Sequence, residues 1–576
     1  MSTMQKILFF ILLTTLSSNA IVNSDINSSS DINSSEELKI AFRKIPTRLL
    51  KNVPQKRFLK RFYKRHNYQT LWIKDNKINK ERAKELITLV KDDPTLNKKG
   101  LLYNTAIQLE KRLETNATQE QTLRRELKLT SLYNNFLAHT LYGEIKWKQF
   151  KYRLLALKKR RINGSWIKYK APQKIDELLL KSDINQTIKE ITPKYFGYQK
   201  LIRGLKKLKK IKANGGWDKL PPFKSLKLGS SGDIVKKLRT RLTQSGDYNI
   251  TCDENKTAIS IDNNQSSENN ESDTPHINRE ALFDECLDIA VKKFQKRHGL
   301  AVDGVVGRAT QKALNLSVDD KIKKVLLNID RIKWLPREEE KRYIVVNLPE
   351  FMLHYIEDNL TKQELKVIVG DKRHPTPIFS HYISYIVLNP YWKVPEGIVR
   401  REVIPHMVKD PNYLRRQGIE AHRTWDENSR VIDISFIYWR DYLYGRAKFP
   451  YRLMQPPGPR NALGKMKFKF PNRFSVYLHD TPTRYLFKKS FRAYSHGCVR
   501  LSQPQKLLET IARFNKNINL KRAKKILKGK RKTQLNMSKK LRIHLIYLTA
   551  GVNSDGELEF RDDLYGYDKY QKRIIR

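Results

Sequence analysis

The chain has 576 residues, too many for a single hydrophobic core, so roughly three or four domains are expected. Apolar residues make up 39% and aromatics 10%, which excludes a disordered polymer. Lys and Arg number 114 against 59 Asp and Glu, a net charge of +55 that favours polyanionic surroundings: nucleic acid, an anionic membrane or an acidic wall polymer.

The N-terminus narrows that choice. Lys6, the apolar run Ile7 to Leu13 and the small-residue triplet Ser18-Asn19-Ala20 read as a secretory signal peptide over residues 1–20. The run is short for a membrane span, so the segment is either cleaved or kept as an anchor, and no second apolar stretch is long enough to cross a bilayer. An exported protein rarely meets nucleic acid. The expected location is therefore periplasmic or envelope-associated, with the positive surface facing the wall or envelope and no transmembrane segment after cleavage.

Residues 21–37, rich in Ser, Asn and Asp, read as a flexible linker. From 38 to 222 the apolar spacing is helical, as in Leu59, Phe62 and Tyr63 and again in Leu127, Leu129, Leu132, Phe136 and Leu137. Phe62, Tyr63, Tyr68, Leu71 and Trp72 are expected to be core residues. A new unit opens at 223, where Gly229 and Gly232 form a turn and Ser or Asp is available to cap a helix carrying Val235, Leu238 and Leu242. Leu287, Ala290, Val291 and Phe294 continue the helical pattern, and Thr310, Ala313 and Leu314 mark a short third helix before the unit ends at 316. The polar stretch 250–282 between them is expected to be a disordered insertion.

The chain has three cysteines. An odd count in an oxidising compartment points to one bridge and one free thiol. Cys252 and Cys286 bracket the insertion and are the expected disulfide, leaving Cys498 free. No His or Cys cluster has metal-ligand spacing, so neither a metal nor another cofactor is expected.

After a helical connector at 317–341, the composition changes. Arg342 to Leu348, Leu353 to Ile356, Leu365 to Gly370 and Tyr382 to Leu388 are β-branched or aromatic runs separated by turn residues, and they predict strands. Trp392 follows, either as core or as a groove wall. The strand pattern lapses into helix and loop over about 397–452. It resumes near Lys467, Phe468 and Phe470. The segment 515–542 is strongly basic, either a solvated helix and loop or an anion-binding patch, and Ile543 to Ala550 with the Asp555-Gly556 turn predicts a closing hairpin.

The chemistry converges on Tyr477-Leu478-His479-Asp480 and Ser495-His496-Gly497-Cys498-Val499-Arg500. A thiol attacks as the thiolate, and a nearby imidazole is the usual means of generating one. Gly497 permits a tight turn that aims backbone amides at a developing oxyanion. The residues alone predict acyl transfer, with water or an amine as acceptor. They leave open whether Asp480 or a backbone carbonyl orients His479, and whether His496 assists the base or only braces the turn.

These two words, in this order, resemble the active-site signature of the L,D-transpeptidases with a YkuD-type catalytic domain. The helical N-terminal part, the small unit at 223–316 and Gln455 to Gly464 resemble the YcbB-like subgroup, which has a scaffold domain, a three-helix peptidoglycan-binding domain and a cap over the cleft. The resemblance implies an α+β multidomain protein: helical scaffold at 38–222, peptidoglycan-binding-like domain at 223–316, and β-rich catalytic domain at 342–576 with the cap at about 397–452. It further implies that Cys498 is the nucleophile and His479 the general acid and base, with His496 and Gly497 in the oxyanion turn. Tyr477, Ser495, Arg500 and Trp392 become substrate-binding candidates. The implied reaction forms 3-3 cross-links in peptidoglycan from a tetrapeptide donor with release of D-Ala. The partners are then stem peptides, glycan and other wall-synthesis proteins. A hydrolase on the same site, or a non-catalytic wall-binding protein using 223–316, are the competing readings, and that unit either binds glycan or only packs.

Overall fold

The computed structural model describes residues 53–248 and 279–573 except 339 and 446, together with residues 36, 39, 40 and 50. The expected signal peptide, Cys252 and nearly all of the 21–37 linker and the 250–282 insertion lie outside the described residues. Two compact units divide the chain, one made of Met1–Gly143 with Ala171–Thr192 and the other of Glu144–Lys170 with Pro193–Ile574. The stretch 38–222 is thus shared between them.

The first unit is helical. Its longest helix, Gln119–Tyr142, begins in a capping box between Thr118 and Gln121 and buries Leu127, Leu129, Leu132, Phe136 and Leu137. Leu59, Phe62 and Tyr63 of the helix Lys56–Arg65 and Trp72 pack into the same core. Buried Glu126 ties the layers together. It accepts from the Tyr63 hydroxyl at 2.6 Å and from the Leu71 and Trp72 amides at 2.8 Å.

In the second unit a nine-stranded mixed sheet holds β1 (Arg342–Asn347), β2 (Met352–Glu357), β3 (Leu360–Gly370), β4 (Phe379–Leu388), β5 (Met466–Lys469), β6 (Leu478–His479), β7 (Ala493–Ser495), β8 (Val499–Leu501) and β9 (Thr533–Ile546). The order is β7-β3-β8-β6-β5-β4-β9-β1-β2, and β2 also pairs with β3, so the sheet closes on itself. Three pairings are parallel: β6 with β8, β7 with β3 and β9 with β1. Long β3 makes closure possible by pairing Leu360 to Lys366 with β2 and Val367 to Ile368 with β8.

β1 reads as a continuous apolar run because both of its faces are covered. Ile344 and Val346 enter the sheet's own core, while Tyr343 and Val345 join the cluster formed with the helices Tyr198–Ala213 and Val318–Ile332. β9 starts at Thr533, ahead of the expected strand at 543, so the end of the basic segment is strand rather than helix and loop. Its early residues are mostly exposed and polar, with only Leu535 and Met537 apolar, so the run did not stand out as a strand. Over 392–455 the short strands Trp392–Lys393, Glu420–His422, Val431–Ile432 and Arg452–Gln455 form a separate four-stranded sheet beside helical turns, around a core that includes Val403, Leu414 and Leu453. Strands this short carry no readable alternation.

The helices Asp233–Ser245, Glu285–Arg297 and Arg308–Leu314 share a small core. The first lacks the expected side-chain cap: Gly232, at φ 116°, occupies the N-cap position itself. Cys286 is disulfide-bonded. Buried Arg297 pairs with Asp247 and donates to the Leu558 carbonyl at 2.9 Å, and Arg561 donates to the Arg297 carbonyl at 2.9 Å, so this helical module packs on the C-terminal hairpin. Among the described residues no helix is long and apolar enough to cross a membrane.

At the end of β3 the backbone approaches the turn before β8 too closely for any side chain. A Cβ on Gly370 would fall onto backbone atoms of His374 and Thr376 and lie 3.0 Å from the Gly497 Cα. Gly370→Ala is expected to destabilise the second unit by about 3 kcal/mol through overpacking, read as a drop in its thermal unfolding midpoint; an unchanged midpoint would contradict the close approach.

Candidate active site

Strand alternation builds the site. Met466 and Phe468 of β5, Leu478 of β6 and Val499 and Leu501 of β8 enter the core, so the alternating residues face the other way. Register then aligns Lys467 with His479 and His479 with Arg500 in one row across three strands. One pleat along, Lys469, Tyr477 and Cys498 form a second row. The Val499 amide donates to the Tyr477 carbonyl at 3.1 Å, which sets Cys498 beside Tyr477. Cys498 and His479 are therefore diagonal neighbours on one face. Among the described residues they make no hydrogen bond to each other, and Sγ lies 3.9 Å from the Ser475 carbonyl.

The imidazole is held by backbone. His479 Nδ1 lies 2.6 Å from the Asp480 carbonyl oxygen. A carbonyl only accepts, so Nδ1 carries the proton and Nε2 keeps its lone pair. The Asp480 carboxylate braces the chain on either side instead, accepting from the Lys465 amide at 2.9 Å and the Thr481 amide at 2.7 Å and pairing with Arg484. Burial, with Arg500 and Lys467 nearby, lowers the His479 pKa to about 3.

Cys498 is a free thiol. Burial pushes its pKa up, opposed by hydrogen bonds from the Tyr477 backbone and hydroxyl and by the Lys469 and Arg500 charges. Burial dominates at both groups. The resting pair is consequently a neutral thiol and a neutral imidazole rather than an ion pair.

Gly497 has φ 107°, a left-handed conformation that disfavours any side chain. Its amide donates to Ser495 Oγ at 3.2 Å, and Ser495 Oγ donates to the Cys498 carbonyl. Ser495 is buried, and its hydroxyl is used inside the turn rather than offered to a ligand. The Cys498 amide meets no acceptor among the described residues.

His496 reaches outward. Its Nε2 lies 2.6 Å from Glu402 Oε1, and its ring meets that of His374 in a tilted contact at 4.6 Å between centroids, which in turn meets Asp371 at 3.2 Å. Glu402 sits in a π-helical turn, Val399–Val403. The contact with His496 lowers its carboxyl pKa. Trp392 pairs in register with Gln455 and packs against the 392–455 core. Arg500 donates from Nη1 to Thr483 Oγ1 at 3.2 Å, while its buried Nε has no partner.

Lys467, Lys469 and Glu402 escaped the sequence reading. The alternation Met466-Lys467-Phe468-Lys469 was the available signal for the lysines; nothing local marks Glu402. Among the described residues no group of His, Cys, Asp or Glu is arranged to hold a metal ion.

Comparison with known proteins gives three matches along the chain. Residues 341–526 match the family model "L,D-transpeptidase catalytic domain", residues 57–205 a "Scaffold domain" and residues 271–314 a "Putative peptidoglycan binding domain". Over 246 residues the chain is 32% identical to a Haemophilus influenzae protein named "Putative L,D-transpeptidase", covering 43% of this chain and 48% of that protein. The chain thus spans about half the length of this curated relative. Similar solved structures include an L,D-transpeptidase of Xylanimonas cellulosilytica, at 16% identity and TM-score 0.17 over 57% of this chain and 99% of that one. Another is from Stackebrandtia nassauensis, at 14% identity and TM-score 0.20 over 57% and 97%.

Two measurements check the site. Because the His479 pKa lies near 3 and that of Cys498 is raised, alkylation of Cys498 by iodoacetamide should climb continuously with pH through 9. A rate that is flat from pH 5 to 7 would instead reveal a preformed thiolate–imidazolium pair. Glu402→Ala should remove the tie to His496, a half-exposed pair contributing at most about 1 kcal/mol. Amide exchange over residues 399–409 is then expected to rise by up to about fivefold, and unaltered exchange would show that the tie is inconsequential.

Proposed function

We propose that residues 341–526, which match the L,D-transpeptidase catalytic domain model, act on peptidoglycan through a Cys498 thioester. The supporting observation is the juxtaposition of Cys498 and His479 on one face of adjacent parallel strands, with Nδ1 held by a carbonyl so that Nε2 is the free base. The donor is a tetrapeptide stem ending in D-Ala. His479 Nε2 takes the thiol proton as Sγ attacks the carbonyl carbon of the donor's third residue. The Cys498 amide, left free by the Gly497 turn, donates to the oxyanion. Collapse breaks the C–N bond, the proton passes from His479 to the departing D-Ala amine, and a thioester remains. The side-chain amine of a second stem then attacks the thioester, His479 removes the amine proton, and Sγ leaves and is reprotonated. The product is a 3-3 cross-link.

The other parts of the chain fit the same reaction. The module containing residues 271–314 brings the chain to the wall polymer, and its packing on the C-terminal hairpin is compatible with that role. An exported, periplasmic or envelope-associated protein with a strongly positive surface suits this substrate.

Incubation of sacculi with the intact protein and with Cys498→Ala, followed by mass spectrometry of the released muropeptides, tests the proposal. The wild type is expected to produce 3-3 linked dimers and free D-Ala, with a trapped thioester on Cys498, and the variant neither. Shortened stems without dimers would identify a hydrolase. Binding without turnover would identify a wall-binding protein.

A further inference from the structure

We propose that Lys467 and Lys469 form a carboxylate-binding wall beside the reacting pair, and that they read the free C-terminal carboxylate of the residue expelled from the donor. This rests on the functional reading above. The two ammonium groups lie 5.2 and 4.8 Å from the Tyr477 ring centroid, over the ring that separates them from Cys498. Both side chains are half-buried, and among the described residues neither ammonium makes an ion pair or a hydrogen bond, Glu427 attracting Lys467 only from a distance. Keeping two neighbouring cations there is unfavourable without an anion. Burial, together with Lys469 and Lys532, lowers the pKa of Lys467 to about 8.

Protein carboxylates nearby are already engaged. Glu427 accepts from Lys532 at 2.6 Å and lies 3.8 Å from Lys393. Asp480 is held by Arg484 and two amides. Apart from the Cys498 thiolate, which attracts both lysines, a carboxylate to match the two charges would come from a ligand.

The covalent structure of the donor says which anion. In a C-terminal residue the carboxylate is one carbon away from the amide nitrogen. It must lie next to whatever group protonates that nitrogen on departure, which is His479. Lys467 is the register neighbour of His479, and Lys469 stands one pleat along in the row of Cys498. A stem extended by one more residue would present an amide at that place instead. The ligand class is thus a peptide whose free carboxylate belongs to the residue immediately after the scissile bond.

The test measures thioester formation, by mass spectrometry, with a tetrapeptide stem and with the same stem as its C-terminal amide. The wild type should prefer the acid by roughly tenfold in kcat/KM, the scale of a charge-assisted hydrogen bond. Lys467→Met and Lys469→Met should bring the acid-to-amide ratio close to one, while Lys467→Arg should retain most of the preference. Equal losses on both donors would assign the lysines to supporting Tyr477 and overturn the proposal, as would a wild type indifferent to the C-terminus. If the wild type acylates with neither donor, the functional reading fails and a second measurement judges the lysines alone. N-acetyl-D-alanine should slow alkylation of Cys498 by iodoacetamide more than its amide does in the wild type, and not in the Lys→Met variants. Equal effects of acid and amide on the wild type would overturn the carboxylate wall.

Discussion

The parallel pairing of β6 with β8 is the constraint from which the site follows. Each strand is only two or three residues long, and neither would hold its place alone. They are clamped between longer neighbours, β5 on one side and β3 on the other, within a sheet that closes on itself. Parallel neighbours need a crossover, here Asp480 to Cys498, and Asp480 anchors its start through Arg484 and two amides. Once the register Leu478 with Val499 is set, strand alternation sends Leu478, Val499 and Leu501 inward and His479, Cys498 and Arg500 outward together. Slipping one strand by a single residue would turn Cys498 into the core and expose the core residues.

Charge around the pair pulls against burial. Lys469 and Arg500 favour a Cys498 thiolate, and Arg500 and Lys467 disfavour an imidazolium. At the sulfur these cations oppose burial and lose; at the imidazole they reinforce it. The same charges thus help the attacking state of Cys498 while keeping His479 unprotonated. A site of this kind avoids a reactive resting thiolate and generates one when the proton moves. The net charge of +55 supplies the background, but the placement of these three cations on one sheet face is a local matter of strand period.

How far the sequence discloses this depends on the range of the interactions. The apolar runs that became β1 to β4, the helical spacing around Leu127 to Leu137, and the paired words around His479 and Cys498 are local and were readable. The Phe62, Tyr63 and Trp72 cluster was readable as core for the same reason. Sheet closure was not, because the β3 with β8 and β9 with β1 pairings join strands far apart in the chain and are set by tertiary packing. The start of β9 was masked by polar residues on a largely exposed stretch of strand. Ser495 read as a ligand contact because the word alone cannot show that its hydroxyl turns back to the Cys498 carbonyl. The carbonyl that holds His479 belongs to Asp480, so the right residue was weighed and the acting atom was its backbone oxygen rather than its carboxylate.

His496 shows why a residue's position in a motif does not settle its role. It stands two residues before Cys498 yet directs its side chain away from the thiol, toward Glu402 on the π-helical turn Val399–Val403. A π-helical turn holds one more residue than an α-helical one and is retained where it aims a side chain. Here it brings Glu402 to a histidine whose own backbone leads directly into Gly497. Gly497 lacks a Cβ, sits at φ 107° and has its amide fixed by Ser495, so the next amide, that of Cys498, inherits whatever orientation the turn is given. The 392–455 segment is therefore joined to Cys498 through one side chain and one glycine. A displacement of the π-helical turn would reach the Cys498 amide before it reached the buried sheet beneath, because Val499 and Leu501 are locked in the core while His496 is half-exposed. The 392–455 segment and the Cys498 amide are linked by that asymmetry in packing, with no rearrangement of the sheet required.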